Sequence, residues 1–376
     1  MNLTKLLAGT LLLFAACTQA PLSGDDYTRF VDPKIGTGGH GHVFVGANVP
    51  FGMVQLGPTS IPQQWDWCSG YHESDSTVIG FSHTHLSGTG IGDLFDITVM
   101  PVTGGVTYAR GEEADPASGL WSYADRSREV ARPGYYSVPL TRYGILAEMT
   151  ATARVGLHRY TFPAAEDADI VIDLENGGCW DKATDTRIEA VGDRRIEGWR
   201  HSTGWAKDQR VYFSAEFSRP FAFERVGDHY ARASFATADG EQVLLKVALS
   251  PVSVEGARAN LAAELPGWDF DATAAAAGKA RNDELGKVRI ETTDDTARKI
   301  FYTALYHAMI APVSFCDVDG AYRGADGEVH ADPGHAAYTV FSLWDTYRAK
   351  MPLLTLTQPE RMTGIVGTML DIADEQ

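Results

Sequence analysis

The chain is 376 residues long, 44% hydrophobic and 10% aromatic, with a formal charge of -17 and an isoelectric point near 5.0. That length exceeds what one hydrophobic core ordinarily supports, so two domains, or one domain and part of another, are the expectation. The acidic balance without clustered Lys and Arg excludes nucleic acid as a partner, because phosphate neutralisation needs a basic patch; it suits neutral ligands and divalent cations.

The first predicted element is an export signal. MNLTKLLAGTLLLFAACTQA carries one Lys, an apolar run from Leu6 to Ala16, and then small residues. The 11-residue run is too short to span a bilayer, which takes about 20 residues as a helix, and no later segment is long and apolar enough to do so. The residues FAAC, ending at Cys17, have the form of a bacterial lipobox, in which the Cys becomes the lipidated first residue. Phe14 stands where that pattern prefers Leu, so ordinary cleavage near Ala20 stays open. Residues 1–20 are therefore read as a signal peptide with Cys17 as the lipidation candidate. The expected location is the bacterial cell envelope, periplasmic or anchored in the outer membrane. Beyond Cys17 only Cys68, Cys179 and Cys316 remain, an odd number that rules out a disulfide scaffold.

GTGGHG, 36–41, matches G-x-G-x-x-G, but DPKI precedes it and the Pro- and Gly-containing VFVGANVPFG follows, so the strand and helix of a dinucleotide site are missing. What remains is a loop whose backbone can approach a ligand closely. Two His-x-His pairs, His40 with His42 and His83 with His85, could each put two imidazoles on one strand face and bind zinc. No carboxylate follows at an established zinc spacing, and hydrogen bonding within a polar loop is the better reading. WDWCSGYH, 65–72, packs Trp65, Trp67, Asp66, Cys68 and Tyr71 into eight residues. A buried strand can hold two Trp, yet Ser69, Gly70 and His72 make a poor core strand. Indoles flanked by polar groups suit a sugar site, where the ring covers the C–H face of a pyranose and polar groups take its hydroxyls.

From about 145 to 250 the pattern has period two. Met149, Ala151, Ala153, Val155 and Leu157 share one face, and Tyr160 and Phe162 then fall on the other parity, which predicts a bulge near His158. Val211, Phe213, Ala215 and Phe217 alternate with Tyr212, Ser214 and Glu216, and in VLLKVAL the inward set is Val243, Leu245, Val247 and Leu249. Strands of this kind, spaced by turn residues, predict a large antiparallel sandwich. After Pro251 the period changes. Residues 271–287 form a helix by propensity, and DDTARKIFYTALYHAMIA places Phe301, Ala304, Leu305, Ala308 and Met309 on one helical stripe. DVDGAYRGADGEVH, 317–330, has an EF-hand look but lacks its regular register, so an Asp-Gly reverse turn is the expectation. Helices resume near Thr339. There SLWDTYRAK puts Trp344, Asp345 and Arg348 on one predicted turn, as an i, i+3 salt bridge or as the wall of a hydroxyl-binding pocket. The chain reaches Gln376 still in helical register.

Four blocks in order carry a resemblance: VDPKIGTGGHGHVFVGANVPFGMVQLGPT, WDWCSGYHESDSTVIGFSHTHLSGTGIGD, YTALYHAMIAPVSFCDVDGAYRGADG and YTVFSLWDTYRAKMPLLTLTQPER. Together the chain resembles glycoside hydrolase family 92, calcium-dependent exo-acting α-mannosidases that invert the anomeric centre. The resemblance implies an N-terminal antiparallel β-sandwich over 27–255, a helical linker over 256–290, and from 291 the start of an (α/α)6 catalytic barrel, incomplete in this chain. It implies that Asp345 and Arg348 hold hydroxyls of a terminal mannose, and that Trp65, Trp67 and Cys68 are the sandwich's contribution to the substrate site. It further implies Ca2+ at the sugar's O2 and O3 and mannose-containing glycans, N-glycans or mannan, as partners. The catalytic acid and base are expected beyond Gln376, so none is assigned. The alternatives are a non-catalytic carbohydrate-binding envelope protein and another sandwich-plus-(α/α)6 glycosidase or phosphorylase.

Overall fold

The period-two half of the chain folds into two antiparallel sheets. The computed structural model describes residues 26–115 and 117–376, so the export signal and Cys17 lie outside the described residues. The larger sheet has eight strands in the order Lys182–Ala190, Arg195–Thr203, Gln209–Phe217, Glu241–Ser250, Val155–Phe162, Ile145–Ala151, Tyr135–Leu140 and Val130–Arg132. The smaller has six, Gly57–Thr59, Gly80–Ser82, Thr98–Thr103, Ala165–Asp173, Tyr230–Thr237 and Ala222–Val226. The inward sets expected from parity, Val211 to Phe217 and Val243 to Leu249, meet Ile170, Ile172, Ala231 and Ala233 of the other sheet in one core. Burying each such aliphatic side chain stabilises the sandwich by roughly 1.5–3 kcal/mol.

The segment 145–162 departs from expectation. It is two strands joined at residues 152–154, with Ala151 opposite Gly156, and no bulge at His158 is needed. Cross-strand partners share a face, so Met149, His158 and Tyr160 point into the sandwich while Val155 and Leu157 point out. The outer face is also buried. Helices α1 (Val254–Glu264) and α2 (Phe270–Leu285) lie across it, packing Ala257, Leu261 and Phe270 on Val155 and Leu157. Both helices start on side-chain caps: Ser253 accepts from the Gly256 amide and Asp269 from the Ala272 amide.

Helix α3 (Asp295–Ala308) is capped by Asp294, which accepts from the Thr296 and Ala297 amides. Its buried stripe is Tyr302, Leu305 and Tyr306, continued by Met309, with Phe301 half-buried and Ala304 exposed, a rotation of the expected stripe by about one residue. Residues 317–330 form the expected reverse-turn hairpin, with Gly320 and Gly327 at φ 86° and 82°. Then come α4 (Leu343–Thr346), α5 (Lys350–Thr357) and α6 (Pro359–Glu375). No helix among the described residues is long and apolar enough to cross a membrane.

Two buried polar clamps dock these helices on the sandwich. Asp317 accepts from Ser250 Oγ at 2.7 Å and from Asn260 Nδ2 at 2.8 Å. Arg281 donates through Nη2 to Asn48 Oδ1 at 2.5 Å and to the Val49 carbonyl at 3.1 Å, and its guanidinium lies 4.6 Å from the Tyr306 ring centroid.

Candidate functional site

A cavity of about 580 Å³ opens where sandwich and helices meet. The sandwich contributes residues between Thr84 and Leu94, between Trp205 and Val211, and Leu249 to Pro251; the helical side contributes Val313, Phe315 and residues 339–345. Its rim carries two indoles, Trp205 at 76% and Trp344 at 87% exposure. Two lining residues without the freedom of glycine, Leu94 and Val340, sit in the left-handed region at φ 73° and 63°. Such strain costs about 1–3 kcal/mol per residue and concentrates at functional sites.

Of the residues singled out by sequence, Asp345 and Trp344 line this cavity. Asp345 accepts a hydrogen bond from Ser342 Oγ through Oδ2. Arg348 lies outside the lining, past the end of α4, and donates from Nε to the Tyr347 hydroxyl at 2.6 Å. No ion pair joins Asp345 and Arg348, so the i, i+3 salt bridge does not form. Trp65, Trp67 and Cys68 do not line the cavity; they stand behind the glycine-rich loop that does. Trp65 Nε1 donates to the Gly90 carbonyl at 2.9 Å, and the Cys68 thiol faces the Thr89 carbonyl at 3.6 Å. Burial pushes the Cys68 thiol up to about 12, which keeps it protonated and unreactive. Trp67 is turned away, donating to Asp75 Oδ2 at 2.7 Å and stacking on His72 at 4.4 Å.

The same loop is braced from its other side, where the Trp180 amide donates to the Gly92 carbonyl at 2.9 Å. A Cβ on Gly92 would come within 2.7 Å of Cys179 Cβ. Asp93 and Trp205, both lining residues, were missed by sequence reasoning. The available signal was a Trp in the polar turn TGWAKD between two strands, and a carboxylate closing the glycine-rich SGTGIGD.

The histidine pairs form no shared metal site. His40 Nδ1 and His42 Nε2 lie 2.5 and 3.5 Å from Asp66 Oδ1. His83 and His85 are buried and diverge. His83 donates from Nδ1 to the Ile97 carbonyl at 2.6 Å, so its Nε2 accepts from His158 Nε2 at 3.0 Å. His158 in turn accepts from the Tyr160 hydroxyl at 2.7 Å, a one-way chain of neutral rings. His85, on the cavity wall, commits its Nδ1 proton to the Gln55 carbonyl at 2.7 Å. Burial lowers His83 to about 4 and His85 to about 3, so neither carries charge near neutral pH.

Calcium asks for six to eight hard oxygen donors, and the cavity lining does not supply them. Its two carboxylates are Asp345 and Asp93, and both Asp93 oxygens already accept from backbone amides. Among the described residues the one cluster of three ligand-type side chains is Asp326, His330 and Glu375, with donor atoms within 4.8 Å of one another. That cluster is satisfied without an ion: His330 Nε2 lies 3.1 Å from both Asp326 oxygens, while Glu375 accepts from the Tyr322 hydroxyl and the Ala325 amide.

The architecture is thus a two-sheet sandwich that closes an indole-rimmed cavity against helices. The chain belongs to glycosyl hydrolase family 92: the family's N-terminal domain matches residues 30–250 and its catalytic domain matches residues 256–376. It is similar to a family GH92 α-mannosidase from Bacteroides thetaiotaomicron, solved in complex with mannoimidazole, at 37% identity and a TM-score of 0.90, over 94% of this chain and 49% of that one. A GH92 inverting mannosidase from the same species matches at 26% identity and a TM-score of 0.81, over 93% of this chain and 49% of that one. An uncharacterized secreted glycosidase of Arthroderma benhamiae is 27% identical over 77% of this chain and 42% of its own length. The chain thus spans about half the length of these relatives.

Proposed function

We propose that the protein serves an exo-acting α-mannosidase activity, releasing terminal α-linked mannose from glycans such as N-glycans or mannan with inversion and calcium assistance. The observation that carries this reading is the cavity itself: in a family 92 chain, its lining mixes apolar residues with uncharged polar ones such as Gln55, Gln209 and Ser250, its only carboxylates being Asp93 and Asp345, and of these only Asp345 has an oxygen free of backbone amides. Such a lining recognises a neutral, hydroxyl-rich ring. Asp345 accepts from sugar hydroxyls, and Arg348, one turn on, supplies forked donors to neighbouring oxygens. Trp65 and Cys68 act through the loop they brace, while Trp67 supports the same block from behind. His85 is a neutral part of the wall, its Nδ1 on the Gln55 carbonyl and its Nε2 facing the Thr59 hydroxyl at 3.4 Å.

An inverting mechanism uses two carboxyl groups about 6.5–9.5 Å apart. With Asp93 engaged by amides, the lining supplies no such pair, and neither acid nor base is assigned to a residue of this chain. Calcium belongs to the proposal through the family resemblance; no step is drawn through it. Export, with lipidation at Cys17, is proposed from the leader sequence.

The test is to express the complete gene, supply an α-linked mannobiose and follow mannose release by proton NMR, with and without a calcium chelator. Early appearance of the β anomer, lost on chelation and restored by Ca2+, is the expected result. Binding without release would favour the non-catalytic binder, and phosphate-dependent release would favour a phosphorylase.

A further inference from the structure

Asp93 is 4% exposed, yet its carboxylate is spent on one surface loop. Its Oδ1 accepts from the Trp205 amide at 3.0 Å and its Oδ2 from the Ala206 amide at 2.8 Å. The loop, residues 204–208, joins Arg195–Thr203 to Gln209–Phe217 and carries Trp205. It is drawn in so tightly that a Cβ on Gly204 would lie 2.3 Å from Asp93 Oδ1. Burying a carboxylate is costly unless charge-assisted hydrogen bonds compensate it, and here both bonds fix the backbone on which one indole stands.

That indole is not packed away. Trp205 is 76% exposed, lines the cavity and makes no hydrogen bond through its ring nitrogen. A loose hairpin would let so large an apolar ring fold onto the protein; this one is held out, its backbone immobilised before any ligand arrives. An indole presented in this way offers an apolar face and a single N–H donor at its edge. A pyranose matches both, with its C–H face on the ring and a hydroxyl at the edge, and prior immobilisation removes the ordering cost of the contact.

We infer that Trp205 is the stacking platform for the sugar ring next to the terminal mannose, on its leaving side, and that Asp93 is the residue that positions it. The inference rests on the mannosidase reading above and deepens it: the site reads an α-linked oligosaccharide of two or more rings, in preference to a mannoside with a small leaving group.

The test compares methyl α-mannoside with an α-linked mannobiose by isothermal titration calorimetry on the full-length protein, with thermal melts to establish folding. The quantity read is the affinity ratio of mannobiose to methyl mannoside. Trp205→Ala is expected to lower that ratio about tenfold, Trp205→Phe to keep most of it, and Asp93→Asn and Gly204→Ala each to lower it by severalfold, since both break the same clamp from opposite sides. A ratio unchanged in Trp205→Ala, with both sugars still bound, overturns the platform and leaves the mannosidase reading standing. A ratio lowered by Trp205→Ala and unmoved by both clamp variants overturns the role of Asp93. If the unaltered protein binds neither sugar, this inference and the mannosidase reading fall together.

Discussion

The indole of Trp65 donates from Nε1 to the carbonyl of Gly90 at 2.9 Å, and a Cβ on Gly90 would lie 2.6 Å from the same ring. A residue outside the cavity thereby sets the position of one that lines it. Trp65→Phe keeps most of the ring and removes the donor, so it should cost about 0.5–1.5 kcal/mol of stability and weaken mannoside binding severalfold by loosening the loop. Gly90→Ala should weaken binding at least as much, because the new methyl group and the indole cannot occupy the same space. Urea denaturation and calorimetric titration check the pair; unchanged binding in both variants would remove the loop from the site.

Arg281 is fully buried and has no carboxylate partner; its guanidinium is held by the carbonyls of Met309 and Val49 and by Asn48 Oδ1. Burial lowers its pKa to about 10, which leaves it charged at neutral pH. Arg281→Met removes the charge-assisted donor shared by three acceptors where the helices meet the sandwich, leaving each with one neutral donor. A loss of about 2–4 kcal/mol is expected, with the single urea transition splitting as helices and sandwich uncouple. A variant within 0.5 kcal/mol of the parent would show that the clamp is dispensable.

The sandwich was legible where one parity set runs unbroken through a single strand. Val211 to Phe217 and Val243 to Leu249 each keep one parity from end to end, and each set faces inward. The reading slipped at 145–162, where α1 and α2 bury the outer face, so apolar residues of both parities are adjacent in sequence and a tight turn looks like a bulge. It slipped again on α3: Thr303 is buried because its hydroxyl accepts from the Asp32 amide, a long-range contact that helical periodicity does not contain. Trp344 and Asp345 could be picked out because sequence neighbours carry the signal. Asp93 and Trp205 could not be joined, since the hydrogen bond between them spans 112 residues.

His83 titrates in a direction that makes stability depend on pH. Burial depresses its folded pKa to about 4, below an unfolded value near 6.5, so the unfolded chain binds the proton first. The stability from keeping His83 neutral is therefore complete above about pH 6.5 and is lost as pH falls toward 4. Buried Asp181, raised to about 6 by desolvation, acts in the opposite sense, so the comparison must be made against a variant. The stability difference between the parent and His83→Gln should shrink by roughly 2–3 kcal/mol between pH 7 and 4.5 in urea titrations. A difference that stays constant over that range would place a charged or solvated histidine at this position.

Asp345 separates a sugar-binding role from a helix-capping one. Its Oδ2 accepts from Ser342 Oγ, within the first turn of α4, so the carboxylate could serve that local side-chain contact at the helix start alone. The helix is only four residues long and exposed, and a cap there contributes about 1 kcal/mol at most. A hydrogen bond from a bound hydroxyl to a carboxylate contributes about 1.5–3 kcal/mol, which is roughly a ten- to hundredfold change in affinity. Asp345→Ala should therefore weaken methyl α-mannoside binding by at least tenfold while the melting temperature moves by only a few degrees. Ser342→Ala removes the local partner and leaves the carboxylate free, so it should bind the sugar at least as well as the parent. Equal affinity in Asp345→Ala, or matching losses in both variants, would assign Asp345 to the helix and send the search for the mannose-gripping acceptor elsewhere on the cavity wall.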